Sequence, residues 1–371
     1  MKKTAAPKQS RPDKTVTDAG LKIQGMGLLW DAGFVVRPEV LLSEPVKSSG
    51  RTRNQYLDVT DVDVLGYQFD SLLSLRTVCV DCGAGTSRSP MDRAFWLRGL
   101  REAMGMDQVM CVVGRPIEEE HRFAAHRFGI QLIHSEEFPD LISKLTDQRR
   151  LVDFSRYYQA NLDWSTYTGN IPGTLHDFLT KDNWQRDWSR IPVTVPGQLR
   201  RWTANLDFRS DVQEHGAIEL GLLLSIGIVK LAYQVTRTKP SDFKNAVRTS
   251  VLGGDRQTKV IDLVLKALED LEPGTSGEQS LFQSTKFEVP FLPELLDLVS
   301  RFNARPAKAS RIPRYIQSFQ LARLAGDIRQ YPQYLGTESD AISLKLALDV
   351  FRYMEKAGEL RGDLKKLLGE L

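Results

Sequence analysis

Between Leu57 and Tyr67 apolar and acidic side chains alternate at period two, and only a strand turns such a pattern into faces. The alternation sets Asp61 and Asp63 on one side of that strand. A second β-rich run, Leu75 to Cys82 (LRTVCVDC), carries Asp81 near its end and leaves through the glycine-rich Gly83-Ala84-Gly85-Thr86. Before these two, Phe34 to Leu42 reads as a strand, and Pro38, which cannot donate to a ladder, suits a sheet edge. Ala19 to Asp31 has the apolar spacing of an amphipathic helix, weakened by glycine and stopped by Gly33.

Ser89-Pro90-Met91-Asp92 is a helix start, with serine at the N-cap, proline at the first helical position and an acid in the first turn. That helix is expected to run to about Met104. Gln108 to Gly114 then reads as a buried strand, Ile117 to Phe128 as a helix with an acidic start, and Gly129 to His134 as a further short strand. Residues 16–145 therefore read as one α/β unit around a mixed sheet, hairpin-joined strands first and crossovers later. Residues 1–15 form a basic arm ahead of it. Residues 146–371 are mainly helical, with periodic segments at Ile218 to Val235, Thr258 to Leu271, Leu292 to Phe302, Tyr315 to Ala325 and Ser343 to Leu371. Asn303 to Arg314 (NARPAKASRIPR) is expected as a basic, proline-containing loop. A length of 371 residues suits two domains better than one core.

Fifty Lys and Arg against 47 Asp and Glu leave a formal charge of only +3, so bulk charge would not draw the chain to phosphates and any nucleic-acid surface must be a local patch. The stretch Ala217 to Val235 is long enough for a bilayer, but Glu219 and Lys230 interrupt it and a buried core helix is expected instead, with no membrane role. Three cysteines, Cys79, Cys82 and Cys111, are too few for a disulfide framework and indicate a reducing, cytoplasmic setting. Cys79 and Cys82 are three apart on a strand and point to opposite faces, which favours core packing over a zinc knuckle.

Two strands presenting Asp63 and Asp81 at neighbouring ends offer oxygen ligands of the kind a hard divalent cation takes. Together with the helix ending in Ala32-Gly33-Phe34, the acidic strand Thr60-Asp61-Val62-Asp63-Val64-Leu65, the strand Val78-Cys79-Val80-Asp81-Cys82, the Ser89-Pro90 helix start and Ala124 to Ile130 before the last strand, the layout resembles the PD-(D/E)XK nuclease superfamily. The resemblance implies a restriction-endonuclease-like fold over about residues 16–140, with Asp63 and Asp81 as catalytic acids and ligands of Mg2+. The third motif position is Gly83, so the lysine that would position or activate water is missing. Arg88 at the end of the following loop, or Arg93 on the helix after it, lies where a displaced cation would reach the site, although an arginine clamps phosphate better than it deprotonates water. Arg51, Arg53, Arg88 and Arg93 are the expected nucleic-acid contacts. The resemblance thus implies a role in nucleic-acid metabolism, including phage-defence or mobile-element systems. Three readings stay open: a noncatalytic member that binds DNA or assembles with protein partners through its helical half, an active magnesium-dependent endonuclease with a relocated basic residue, and a protein-binding scaffold.

Overall fold

The computed structural model describes residues 17–46, 55–85, 89–145, 152–166, 178–182, 188–202, 211–238, 242–270, 289 and 291–360. The basic arm, Arg51, Arg53, Arg88 and the interruption Glu272 to Glu278 lie outside the described residues.

Helix α1 (Asp18–Asp31) begins where the Thr17 hydroxyl accepts the Gly20 amide at 3.1 Å, satisfying one of the free donors of a first turn. It ends at Gly33, whose φ of 92° lets the chain reverse into β1 (Val35–Val46). The meander continues through β2 (Gln55–Phe69) and β3 (Leu75–Gly83), both pairings antiparallel. Their second turn is held by Asp70, whose Oδ1 accepts the Leu72 and Ser74 amides at 2.8 Å. Helix α2 (Pro90–Met104) starts at Ser89 as expected, although the serine side chain makes no capping bond, and Gly105 ends it in the left-handed region. Strand β4 (Gln108–Val113), helix α3 (Glu119–Arg127) and strand β5 (Ile130–His134) follow, the two strands adding in parallel to give the order β1-β2-β3-β4-β5. The protein is α/β, with a five-stranded mixed sheet and many helices.

Both faces of the sheet are covered. On one, Val36, Val64, Val78, Val80, Cys82 and Val112 pack with Leu21, Met26 and Leu29 of α1, with Phe138 of α4 (Phe138–Leu145), and with Phe154 and Tyr157 of α5 (Phe154–Thr166). Gly25 is what brings α1 this close: a Cβ there would stand 3.3 Å from Val80 Cγ1, tighter than most packed contacts. On the other face, Leu65, Tyr67, Cys79 and Cys111 join Ala94 and Leu97 of α2 in a core that runs without a break into the helical half. At its centre is the helix Asp211–Thr238, whose apolar window is 89% buried. Cys79 and Cys82 fall into opposite cores, as their spacing requires, and all three cysteines are buried and free.

Asn303 to Arg314 is not a loop. Leu292–Ala304 is helical, Pro306–Ala309 forms one further turn, and Ile312–Ala325 is a buried helix. Pro306 and Pro313 sit in first turns, where a missing amide costs nothing, so these prolines start helices instead of marking a loop.

Candidate functional site

The β2–β3 ladder ends at the pair Val64 and Val80, so the next residue along each strand, Asp63 and Asp81, stands just beyond the last rung. Asp63 turns its carboxylate into that gap. Its Oδ2 accepts the Cys82 amide at 2.6 Å, replacing the strand partner the amide has lost. Its Oδ1 lies 2.8 Å from Lys22 Nζ, an ammonium that α1 delivers from the opposite layer. Lys22 also bonds Glu39 Oε1 at 2.6 Å, and the Tyr158 hydroxyl of α5 donates to that same oxygen at 2.7 Å. Glu39 reaches this point from β1, between the paired residues Pro38 and Val40, with a φ of 51°. One turn before Lys22, Asp18 Oδ1 accepts the Ala84 amide at 2.5 Å, which ties the start of α1 to the exit of β3.

On the other side Arg93, from the first turn of α2, grips Asp81 through two parallel bonds. Nη2 donates to Oδ1 at 2.7 Å and Nε donates to Oδ2, the fork geometry that makes arginine–carboxylate pairs strong. The same Nη2 is 3.9 Å from Asp63 Oδ2, and the Cys111 thiol donates to Asp81 Oδ2 at 3.5 Å. The guanidinium lies against bare Gly83: a Cβ on that residue would meet Arg93 Nη1 at 3.4 Å and Cζ at 3.5 Å.

Burial works against the Lys22 charge, yet its bonds to Asp63 and Glu39 outweigh burial and hold the ammonium above the usual lysine range. At Asp63 burial comes first and pushes the carboxyl up, against the pull of Lys22 and the Cys82 amide. The bond to Asp81 raises Arg93, which stays charged. Burial raises the thiols of Cys79, Cys82 and Cys111, so none is a thiolate nucleophile near neutral pH.

Asp63, Asp81 and Arg93 are thus brought together, while Arg51, Arg53 and Arg88 lie outside the described residues. Among the described residues, the acids whose oxygens come within 4.8 Å of one another are Glu39, Asp61 and Asp63, without Asp81. As arranged, every carboxylate oxygen of the Asp63 and Asp81 pair accepts from a donor of the chain itself, and two cations, Lys22 and Arg93, already stand where a metal charge would. Lys22 and Glu39 were not singled out from the sequence. The one available signal was a lysine in the first half of an otherwise apolar helix. In comparisons with protein-family models, with curated proteins and with solved structures, nothing matches this chain.

Proposed function

We propose that this chain is a nucleic-acid-associated protein built on a degenerate PD-(D/E)XK nuclease-like domain, a noncatalytic DNA-binding or assembly subunit acting in the cytoplasm, with its helical half available to protein partners. The order of one helix, a three-stranded meander, a crossover helix and a parallel strand, with two aspartates at neighbouring strand ends, supports the family reading. The observation that carries the noncatalytic part is the capture of both carboxylates by in-chain cations. A nuclease metal here would compete with Lys22 and Arg93, whose charges already neutralise the two aspartates. The nucleic-acid part rests on the resemblance.

A second reading, an active magnesium-dependent endonuclease with a relocated basic residue, draws on one observation, the guanidinium of Arg93 lying against Gly83. The experiment that separates the two incubates the full chain with supercoiled and single-stranded DNA in Mg2+ or Mn2+, beside an Asp63→Ala, Asp81→Ala variant. Intact DNA, with a gel shift that weakens as salt rises, is the expected result. Metal-dependent nicking lost in the variant favours the second reading. Absence of any salt-sensitive shift overturns the nucleic-acid assignment and leaves a protein-binding scaffold.

A further inference from the structure

We propose that helix α2 is the contact face of a two-fold homodimer, in which Phe95 and Trp96 of one copy pack over Gly99 and Ala103 of a second copy of this chain. The inference goes beyond the proposed function, which places protein contacts on the helical half instead.

One face of α2 is buried against the sheet through Ala94 and Leu97, and its opposite face is open. On that face Phe95 is 56% and Trp96 42% exposed, two adjacent aromatics whose burial against a partner is a large gain. Gly99 and Ala103 follow on the same face at spacings of three, four and seven, exposed and nearly bare. An added Cβ on Gly99 would meet no atom within 4 Å, so a neighbouring helix has room to come close there. Phe95 is also held in place before any partner arrives. Its ring lies 5.1 Å from that of Phe128, over which Arg98 stacks at 5.1 Å, so less ordering remains to be done on association.

A second copy is the occupant because this one helix carries both halves of the match. With a copy of α2 turned antiparallel about a two-fold axis beside Gly99 and Leu100, Trp96 of each chain falls opposite Ala103 of the other, about 5 Å along the helix from the axis. Phe95 falls beside that contact, and the two Gly99 backbones meet at the crossing. Large groups therefore oppose small ones twice. The charges match as well. Arg98 and Glu102, a 3.1 Å pair within one chain, follow each other along one flank of this face close to the axis, so the arginine of each copy comes beside the glutamate of the other. The aromatic surface that closes is about 200 Å2 per copy, which suits an interface below standard size and a dimer of micromolar strength.

The test is sedimentation equilibrium of the full chain from about 5 to 200 µM, where the wild type is expected to pass from monomer to dimer. Arg98→Glu leaves two acids on the flank and Glu102→Arg leaves two bases. Each variant alone is expected to lose at least about tenfold in association, and an equimolar mixture of the two to regain it, because unlike faces then meet. Gly99→Gln enters open space in the single chain, so it is expected to melt no lower than the wild type at the lowest concentration and still to lose the dimer. A wild type that stays monomeric at the highest concentration overturns the inference. A dimer that all three variants leave intact overturns it too, since the interface is then elsewhere, and so does a mixture of the charge variants that does not reassociate.

Discussion

Lowering the pH toward 5 is expected to destabilise the junction between sheet and helical half through one side chain, His215. It is 4% exposed, Gln320 Nε2 donates to its Nδ1 at 2.9 Å, and among the described residues its Nε2 has no hydrogen-bond partner. The charged groups facing it are Glu219 on its own helix, Arg37 from β1 and Asp163 from α5. Burial dominates and lowers the imidazole from an ordinary 6.5 to about 4, with Arg37 acting in the same direction and the two acids opposing it. A folded pKa below the unfolded one means that the unfolded chain binds the proton first, so stability falls as pH drops from the unfolded value toward the folded one. For that shift the loss attributable to His215 is about 2 kcal/mol between pH 7 and pH 5 and about 3 kcal/mol by pH 4. The assay is equilibrium urea unfolding of the wild type and His215→Gln at each pH. The difference between their pH slopes isolates this residue from every other titrating group. An imidazole proton resonance assigned by its absence in the variant gives the pKa directly. Equal slopes, or titration of that resonance near 6.5, would refute the reasoning.

The neighbouring ion pair tests the same junction by charge deletion. Arg37 Nη1 meets Glu219 Oε2 at 2.6 Å with the two side chains 6% and 2% exposed, so Arg37→Met strands a buried carboxylate and is expected to cost on the order of 3–5 kcal/mol in urea unfolding. Adding Glu219→Gln removes the orphaned charge while keeping an oxygen for the Tyr157 and Gln320 donors, and most of the loss should return; a double variant as unstable as the single one contradicts this account. Two glycine-to-alanine changes should move the melting temperature in opposite directions. Gly99 on α2 has no atom within 4 Å of an added Cβ, and Gly99→Ala should stabilise by about 0.5–1 kcal/mol. Gly221 would place a Cβ 2.5 Å from Phe351 Cε1, and Gly221→Ala should destabilise by about 1–3 kcal/mol despite the gain in helix propensity.

Elements whose signal is local could be read from the sequence. The acidic alternation of 57–67 is strand β2, Ser89-Pro90 opens α2, and the apolar run 217–235 is the buried central helix. Local signal failed where one residue type serves two ends: the prolines of 303–314 suit a loop or a first helical turn equally, and packing of Ile312, Tyr315, Ile316 and Phe319 into the core decides for the helix. The site divides along the same line. Asp63 and Asp81 lie one step past the last rung of a ladder whose register follows from two adjacent strands. Lys22 and Glu39 meet Asp63 only because α1 is pinned to the exit of β3 through Asp18 and because β1 departs from regular strand geometry at Glu39. Neither condition leaves a trace in residue spacing.

Gly83 bears on this centre through Arg93. Arg93 lies within van der Waals reach of Gly83, and its planar fork comes across from α2 and bonds both Asp81 oxygens at once. Lys22 closes Asp63 Oδ1 from the other layer in the same manner. The centre is therefore electrically close to what a metal would make it, with Lys22 and Arg93 supplying the two positive charges. Opening the pair requires removing the two cations that hold it.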